Sequence, residues 1–281
     1  MIELITSKDN RIVREIRQLG QKKYRDQSGK FLIEGQKLVS EAIHHGAEVS
    51  CVVCCEALMT CGSEDNLQDF DSYAAWLVGL GIPTYRVDSK LFHDLSDTKT
   101  PQGILAVSAK KEIKEDAFFK VGAEGNYIVL DRIQDPGNLG TILRTADAAG
   151  FSGVILIKGS GDIYSPKVVR ATAGSIFRIP VLFIDTPEEA IALLREKKIT
   201  ILCTGPRAEK IYYDMPFVGD TAIVIGNEAK GASPVFMEQC DAKVNIPMSA
   251  AVESLNAAVC AGILMYETIR QKSGITAQKL K

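Results

Sequence analysis

Short apolar runs alternate with longer amphipathic stretches along the second half of the chain. The apolar runs predict β-strands at 127–130, 154–157, 180–184, 200–203, 222–225 and 243–246. The stretches between and after them have the apolar spacing of helices, at 139–149, 166–173, 187–197, 234–239 and 255–270. Such an alternation is typical of an α/β domain with a parallel sheet. In the last helix, one broad buried face is predicted by Leu255, Val259, Gly262, Ile263, Met265 and Tyr266.

The first half of the chain shows the same alternation on a smaller scale. Apolar residues at helical spacing between Ile12 and Leu19 predict a first helix over 7–20, with Ser7 or Asn10 as its cap. Further strands are predicted at 29–35, 49–54, 84–87 and 103–107, and further helices at 36–44 and 68–79. We therefore expect an N-terminal α/β domain over 1–109, a charged, irregular linker over 110–124, and a second domain over 125–281.

The composition is that of an ordinary globular protein. The chain has 281 residues, of which 46% are hydrophobic and 24% are charged, so it is long enough for two domains with sizeable cores. It contains no apolar run long enough to span a membrane, and its first residues lack the pattern of a signal peptide. We therefore expect a cytoplasmic protein without a membrane partner.

A net charge of −2 argues against a protein that coats nucleic acid without specificity. The first helix and the residues after it nevertheless carry an excess of cations, which predicts a contact surface for an RNA backbone. A solvated helix face is the other interpretation of such a run, and the charges alone do not decide between them. The candidate RNA-binding residues are Lys8, Arg11, Arg14, Lys22, Lys23 and Arg25.

The seven cysteines do not form a convincing metal site. Cys51 and Cys54 have the spacing of a CxxC pair, but no second pair of ligands lies at a suitable distance along the chain. The run 49–54 is better explained as a buried strand in which cysteine acts as a small hydrophobe. We therefore expect no metal.

The ends of three predicted strands carry most of the candidate chemistry. The strand at 127–130 does not run into the glycine pattern of a dinucleotide site, and the chain has no phosphate-binding loop of the GxxxxGK[ST] type. Instead, the polar segments 138–144, 226–228 and 246–256 each follow an apolar strand. Ligands bind at such strand ends in open α/β sheets.

Each segment offers groups that suit an anionic or hydroxyl substrate. Asn138 is a candidate helix cap, and Arg144 would project from the second turn with a planar fork of donors that can hold a phosphate. Glu228 is a candidate acceptor at a strand end, and Ser254 is a candidate cap for the final helix. Taken singly, these residues are equally typical of a surface salt bridge, a glycine turn and a capped helix.

Taken together, the three segments resemble the motifs of the SpoU (TrmH) family of RNA 2′-O-ribose methyltransferases, within the SPOUT superfamily. The N-terminal half resembles the substrate-binding domain of that family. The resemblance implies a parallel-sheet catalytic domain with a deep trefoil knot, a homodimer, and S-adenosylmethionine as cofactor. It implies catalytic roles for Asn138, Arg144, Glu228, Ser254 and Asn256, and a cofactor pocket lined by Thr204, Gly205, Gly226, Ile246, Pro247 and Leu255.

The second motif departs from the family pattern. The family usually has glycine at position 229 and a larger apolar residue at position 232, whereas this chain has Ala229 and Ala232. Alanine at 229 would strain the loop if that residue needed a positive φ.

The expected function is methylation of a ribose 2′-hydroxyl, in ribosomal RNA rather than transfer RNA because the chain has an N-terminal domain. Arginine is effectively always protonated, so we expect Arg144 to stabilise the developing alkoxide and clamp a phosphate rather than to act as a base. Three alternatives remain open: a transfer-RNA 2′-O-methyltransferase, an enzyme that methylates a base nitrogen, and an RNA-binding protein without turnover.

Overall fold

The structure is a computed structural model that describes residues 2–59, 69–119, 125–205, 208, 210–249, 252 and 254–272. The chain divides into two compact units. The first comprises Met1–Lys111 and Asp162–Phe177, and the second comprises Glu112–Gly161 and Arg178–Lys281. The division predicted from the sequence did not include the excursion of 162–177 into the first unit. Cys61 and part of the predicted linker, 120–124, lie outside the described residues.

The strands and helices alternate along most of the chain. The strands are β1 (Glu3–Ile5), β2 (Lys30–Glu34), β3 (Val49–Cys54), β4 (Thr84–Val87), β5 (Ile104–Ala109), β6 (Asn126–Asp131), β7 (Gly153–Ile157), β8 (Val181–Ile184), β9 (Thr200–Thr204), β10 (Lys210–Ile211), β11 (Thr221–Gly226) and β12 (Ala242–Asn245). The helices are α1 (Arg11–Leu19), α2 (Lys22–Ser28), α3 (Gln36–His44), α4 (Phe70–Gly79), α5 (Ser89–Leu95), α6 (Glu115–Phe118), α7 (Pro136–Ala148), α8 (Pro166–Ala171), α9 (Ser175–Arg178), α10 (Pro187–Glu196), α11 (Pro234–Gln239) and α12 (Ala257–Lys272). Among the described residues, no helix has the length and apolar character needed to cross a membrane.

The first unit contains a five-stranded mixed sheet in the order β1-β4-β3-β5-β2. The strands β1, β4 and β3 are parallel, whereas β5 runs antiparallel to both β3 and β2. The helix α1 buries Val13, Ile16 and Leu19 against this sheet, as their spacing predicted. Asn10 is its cap, because its Oδ1 accepts a hydrogen bond from the backbone N–H of Ile12 at 2.8 Å.

The cysteine-containing run of the first unit is a buried strand, as predicted. Cys51 and Cys54 lie in β3, and the thiols are buried. Burial raises the pKa of Cys51 to about 11 and that of Cys54 to about 12, so neither thiol is ionised near neutral pH. The chemistry of the chain therefore has to come from other residues.

The second unit contains a seven-stranded sheet in the order β10-β12-β9-β11-β6-β7-β8, and every pair of neighbours is parallel. The predicted α/β class with a parallel sheet is therefore confirmed, and all six predicted strands of this half are present. The central strands β6 and β11 are almost fully buried, as expected when helices cover both faces of a sheet. The knot implied by the resemblance stays a prediction.

Two expectations about the second unit were wrong in detail. Part of the predicted irregular linker forms α6, and Phe118 and Phe119 join the core of this unit. In α12, Met265 is buried as predicted, but Val259 and Tyr266 are about half exposed, because the helix packs through Ala257, Ala261, Leu264 and Met265 instead. Part of the apolar surface of this helix therefore faces solvent.

Candidate active site

The carboxyl ends of β6 and β11 lie side by side and bring the first two motifs together. Asp131, the last residue of β6, is in register with Gly226, the last residue of β11. The loop after β6 leads into α7, and the loop after β11 carries Glu228. Two segments that are far apart in sequence therefore meet at one edge of the sheet.

The carboxylate of Glu228 is the centre of a hydrogen-bond network. It accepts from the backbone N–H of Gln134 at 3.2 Å, the backbone N–H of Asp135 at 3.0 Å and Nδ2 of Asn138 at 3.0 Å. A longer contact, 3.4 Å, comes from Nδ2 of Asn227. Each donor favours the ionised carboxylate, so Glu228 ties the second motif to the first.

Two opposing effects determine the pKa of Glu228. Burial raises the pKa, but the hydrogen bonds from the Asn138 side chain and from backbone N–H groups together outweigh burial. The pKa of Glu228 therefore lies below its ordinary value of 4.5, and the carboxylate is ionised at neutral pH. It is an acceptor in this site and not a proton donor.

Asn138 links the hydrogen-bond network to the third motif. Its Oδ1 accepts from Nδ2 of Asn256 at 2.8 Å, and Oδ1 of Asn256 accepts from the backbone N–H groups of Ala258 and Val259 at the start of α12. These contacts correct two predictions about helix caps. Asp135 caps α7, since its Oδ1 accepts from the backbone N–H of Asn138, which lies inside the helix. The side chain that accepts from the first N–H groups of α12 belongs to Asn256 and not to Ser254.

The predicted catalytic residues Arg144 and Ser254 do not take part in this network. Both are exposed, and neither has a hydrogen bond or ion pair with another residue of the described ranges. Arg144 lies on α7, two turns after Asp135. Its guanidinium charge is therefore available to an external anion.

The loop after β11 is closed by a very near approach of backbone to Gly226. A Cβ at that position would lie 1.9 Å from the backbone N of Ala232, so only glycine fits. Among the residues that can be described, the left-handed conformation in this loop belongs to Gly231, with φ +72°, and not to Ala229. The strain expected at Ala229 is thus absent. Asn227 stabilises the turn, because its Oδ1 accepts from two backbone N–H groups at 3.1 Å.

The sequence analysis missed the residues whose hydrogen bonds join the loop after β6 to the loop after β11. Asp131 is fully buried, and its carboxylate accepts from the backbone N–H of Ser233 at 2.5 Å and from Nε of Arg132 at 2.9 Å. Arg132 has φ +61°, and its carbonyl accepts from Nδ2 of Asn227 at 2.8 Å. An aspartate at the end of an otherwise apolar strand was the signal that could have identified these hydrogen bonds.

The predicted cofactor residues lie at the ends of three adjacent strands, β12, β9 and β11. The Thr204 hydroxyl donates to the carbonyl of Val224 at 3.2 Å, and the N–H of Gly205 donates to the carbonyl of Val244 at 3.1 Å. The Thr204 hydroxyl and the Gly205 N–H are thus both engaged within the sheet edge. At Gly205 the absence of a side chain lets a cofactor approach the backbone of this edge. Of the remaining predicted cofactor residues, Gly226 is the last residue of β11, Ile246 and Pro247 directly follow β12, and Leu255 lies just before α12.

The candidate RNA-binding residues divide into three groups in the first unit. Arg11, Arg14 and Lys23 are exposed and have no ion-pair partner among the described residues. Lys8 is paired with Asp94, and Lys22 with Asp26 at 2.5 Å, but these pairs are exposed and can exchange with a phosphate.

Arg25 is different, because its side chain is only 4% exposed. Its Nε and Nη2 donate to Asp162, and its Nη1 donates to the carbonyl of Leu19 at 2.7 Å. All of its guanidinium nitrogens are engaged, so Arg25 cannot also bind a phosphate. The prediction that Arg25 contacts RNA was therefore wrong.

Comparison with known proteins agrees with the arrangement of the three motifs. Residues 125–266 match the model of the SpoU rRNA Methylase family, and residues 10–106 match that of an MRM3-like substrate binding domain. The chain belongs to the SpoU rRNA methylase family. The resemblance that the motifs suggested is therefore confirmed.

Members of the SpoU family resemble this chain over nearly its whole length. The 23S rRNA (guanosine(2553)-2′-O)-methyltransferase RlmP of Bacillus subtilis is 34% identical, over 93% of this chain and 97% of the relative. The AdoMet-bound rRNA methyltransferase of Sinorhizobium meliloti has a TM-score of 0.84 at 32% identity, covering 96% of this chain and 98% of that one. The SpoU methyltransferase AviRb of Streptomyces viridochromogenes, also crystallised with AdoMet, has a TM-score of 0.81 at 28% identity and covers 94% and 98%.

Proposed function

We propose that this SpoU-family enzyme transfers the methyl group of S-adenosylmethionine to a ribose 2′-hydroxyl of ribosomal RNA. The observation that carries the proposal is the network Glu228–Asn138–Asn256, which joins all three motifs and includes α7, the helix on which Arg144 lies without a partner among the described residues. The names of the similar proteins support the choice of ribosomal RNA and of this cofactor. Because ribosomal RNA is the substrate, we place the protein in the cytoplasm.

Arg144 is the residue that acts on the substrate. When bound, S-adenosylmethionine would supply an electrophilic methyl group to the ribose oxygen, its sulfur would leave as a neutral thioether, and the hydroxyl proton would pass to solvent. Negative charge develops on the ribose oxygen during this step. A fixed guanidinium stabilises it electrostatically, and its second pair of donors can hold a neighbouring phosphate.

The side chains of Glu228, Asn138 and Asn256 hold α7 and the neighbouring loops in position. Their polar atoms are engaged with one another and with the backbone of α12, so these side chains fix α7 relative to the loops after β6 and β11. Since Arg144 lies on α7, the network sets the position of its guanidinium. Ser254, which is exposed and outside the network, faces the substrate or the cofactor instead.

The cofactor binds at the ends of β9, β11 and β12. Thr204, Gly205 and Gly226 lie at this edge, and the segments that contain Ile246, Pro247 and Leu255 close it. The RNA contacts exposed basic residues of the first unit. These are the residues predicted from the sequence without the buried Arg25: Lys8, Arg11, Arg14, Lys22 and Lys23.

We further propose that the protein is a homodimer in which a second copy covers the exposed face of α12. The helix leaves Val259 and Tyr266 about half exposed although it packs against α7, which carries Arg144. A second copy would bury this apolar surface.

The test is transfer of labelled methyl from S-adenosylmethionine to unmodified ribosomal RNA and transfer RNA. Wild type is expected to label ribosomal RNA, and Arg144→Ala is expected to lose the label. Arg86→Ala, which removes an exposed arginine of the first unit, is the matched control and should label normally. Nuclease digestion identifies the methylated atom, because a 2′-O-methyl group blocks cleavage at the adjacent phosphodiester. Labelled RNA that is cleaved normally would refute the ribose assignment, and absence of label would refute the enzyme.

A further inference from the structure

Arg132, the residue directly after β6, has a backbone conformation that residues other than glycine rarely adopt. Its φ is +61°, in the left-handed region, where an L side chain is strained. The backbone is held there because the carbonyl of Arg132 accepts from Nδ2 of Asn227 at 2.8 Å. Strain of this kind persists where the surrounding contacts impose it, and it is concentrated at functional sites. Here it determines where the Arg132 side chain lies.

The guanidinium of Arg132 is fixed along its inner edge. Its Nε donates to Oδ1 of Asp131 at 2.9 Å, and its Nη2 donates to Oδ2 of the same carboxylate at 3.4 Å. Asp131 is fully buried, so this carboxylate has a single position. The aliphatic part of the side chain lies on the loop after β7, since a Cβ on Gly159 would be 3.4 Å from Cγ of Arg132.

The outer edge of the same guanidinium is open. It consists of Nη1 and the second N–H of Nη2, and among the residues that the structure describes none accepts a hydrogen bond from Nη1. The side chain of Arg132 is 38% exposed. A guanidinium has five N–H donors in one planar fork. With its inner edge on a carboxylate, the outer edge is already oriented to bind two oxygens of an external anion.

Arg132 lies at the active-site edge of the sheet. Two residues further along the chain, the N–H of Gln134 donates to Glu228, and Asn227, which holds the carbonyl of Arg132, precedes Glu228 in the second motif. An RNA strand that brings one ribose to this edge carries a phosphate on each side of that ribose. A cation that is fixed at the same edge is therefore placed to meet the strand.

The reaction involves two kinds of oxyanion, the phosphates of the RNA and the carboxylate of S-adenosylmethionine. The order of the strands favours the phosphates. The predicted cofactor residues follow β12, β9 and β11, whereas Arg132 follows β6 and lies on the loop after β7, on the far side of β6 from β11. We propose that Arg132 binds a phosphate of the RNA strand next to the methylated nucleotide. This inference rests on the proposed function.

Equilibrium binding of unmodified ribosomal RNA at a series of salt concentrations tests the proposal. Arg132→Gln removes the charge and the outer edge together. We expect its Kd for the RNA to rise about tenfold, and the slope of log Kd against log salt concentration to fall by about one, because one phosphate contact is lost. The Kd for S-adenosylmethionine should stay within about twofold of wild type.

Two further variants complete the design. Arg195→Gln makes the same change at an exposed arginine of α10, near the end of the helix that precedes β9 and thus at the opposite edge of the sheet, and it should bind RNA normally. If Arg132→Gln does not fold because Asp131 has lost its cation, Arg132→Lys takes its place. An ammonium beside Asp131 has no second edge, so RNA affinity should fall by about as much.

Two outcomes would overturn the proposal. If Arg132 serves only to compensate the charge of Asp131, its variants lose thermal stability while the Kd for RNA and the salt dependence stay those of wild type. If its anion is the cofactor carboxylate, the Kd for S-adenosylmethionine rises while RNA binding stays normal. Failure of the proposed function would show separately, as a wild-type protein that binds RNA but transfers no methyl group.

Discussion

Arg144 and Arg25 show how differently two arginines of the same chain are used. Arg25 is buried, and its guanidinium is fully engaged with Asp162 and a backbone carbonyl. Arg144 is exposed, and no described residue is its partner. The sequence marked both as candidate anion contacts, because a one-dimensional pattern gives the charge but not the partner. An arginine becomes available for catalysis only where the fold leaves its charge unpaired.

The first prediction concerns the shape of the Arg144 side chain. Arg144→Lys keeps the positive charge but loses the planar fork that can hold two oxygens at once. We expect kcat to fall by about 10²-fold, the usual size for loss of one preorganised donor in a transition state. The thermal midpoint should stay unchanged, because the side chain is exposed and unpaired. Steady-state methyl transfer with calorimetric unfolding checks both, and a variant with wild-type kcat would contradict the role of the fork.

The second prediction concerns the charge of Glu228. Its pKa lies below its usual value because hydrogen bonds, that of Asn138 first among them, outweigh the opposing effect of burial. A carboxylate of this kind contributes its stabilisation above its ordinary pKa and loses it as the pH falls through the lowered value. In Asn138→Ala the main donor is gone, so the pKa of Glu228 rises and activity is lost at higher pH than in wild type. A pH–rate profile measures the shift, and an unmoved acid limb would show that Glu228 does not need this donor.

At the scale of elements, most strands could be predicted, whereas the caps of α7 and α12 could not. Apolar runs determine where buried strands form, and those runs are local. Whether a side chain caps a helix depends on what else its polar atoms bind. Asn138 does not cap α7, because its Nδ2 donates to Glu228 and its Oδ1 accepts from Asn256. The strand β1 was missed because three residues give no pattern. Which apolar side of α12 is buried likewise depends on α7, which is far away in sequence.

The third prediction concerns the turn that ends β11. Gly226→Ala would place a Cβ 1.9 Å from a backbone nitrogen, so the loop that carries Glu228 must move. We expect loss of S-adenosylmethionine binding together with about 1–3 kcal/mol of stability, the usual cost of forced overpacking. Calorimetric titration measures the binding. Gly79→Ala is the matched control, because a Cβ there meets nothing within 4 Å, and it should bind the cofactor normally. Normal cofactor binding by Gly226→Ala would contradict the proposed pocket.

At the scale of the whole molecule, continuity in sequence is a poor guide to which residues pack together. The segment 162–177 lies within the second half of the chain but packs with the first unit, where Tyr164 and Phe177 contact the ring of Phe31. No local pattern signals this excursion, because its apolar residues would suit either core. The alternation of strands and helices predicted two domains, and the three motifs predicted the site, whereas the path of the segment 162–177 came only from the structure.

The last prediction concerns assembly. Val259 and Tyr266 are seven residues apart on α12, so they share one face, and both are about half exposed. Asn256, at the start of the same helix, bonds to Asn138, and a partner on this face would therefore also restrain the active-site network. Tyr266→Glu should turn the dimer into a monomer and lower kcat, whereas Leu80→Glu, a matched change at an exposed apolar residue of the first unit, should do neither. Sedimentation velocity alongside methyl-transfer assays separates the outcomes. A monomeric wild type would refute the dimer, and a monomeric variant with full activity would show that assembly does not support the network.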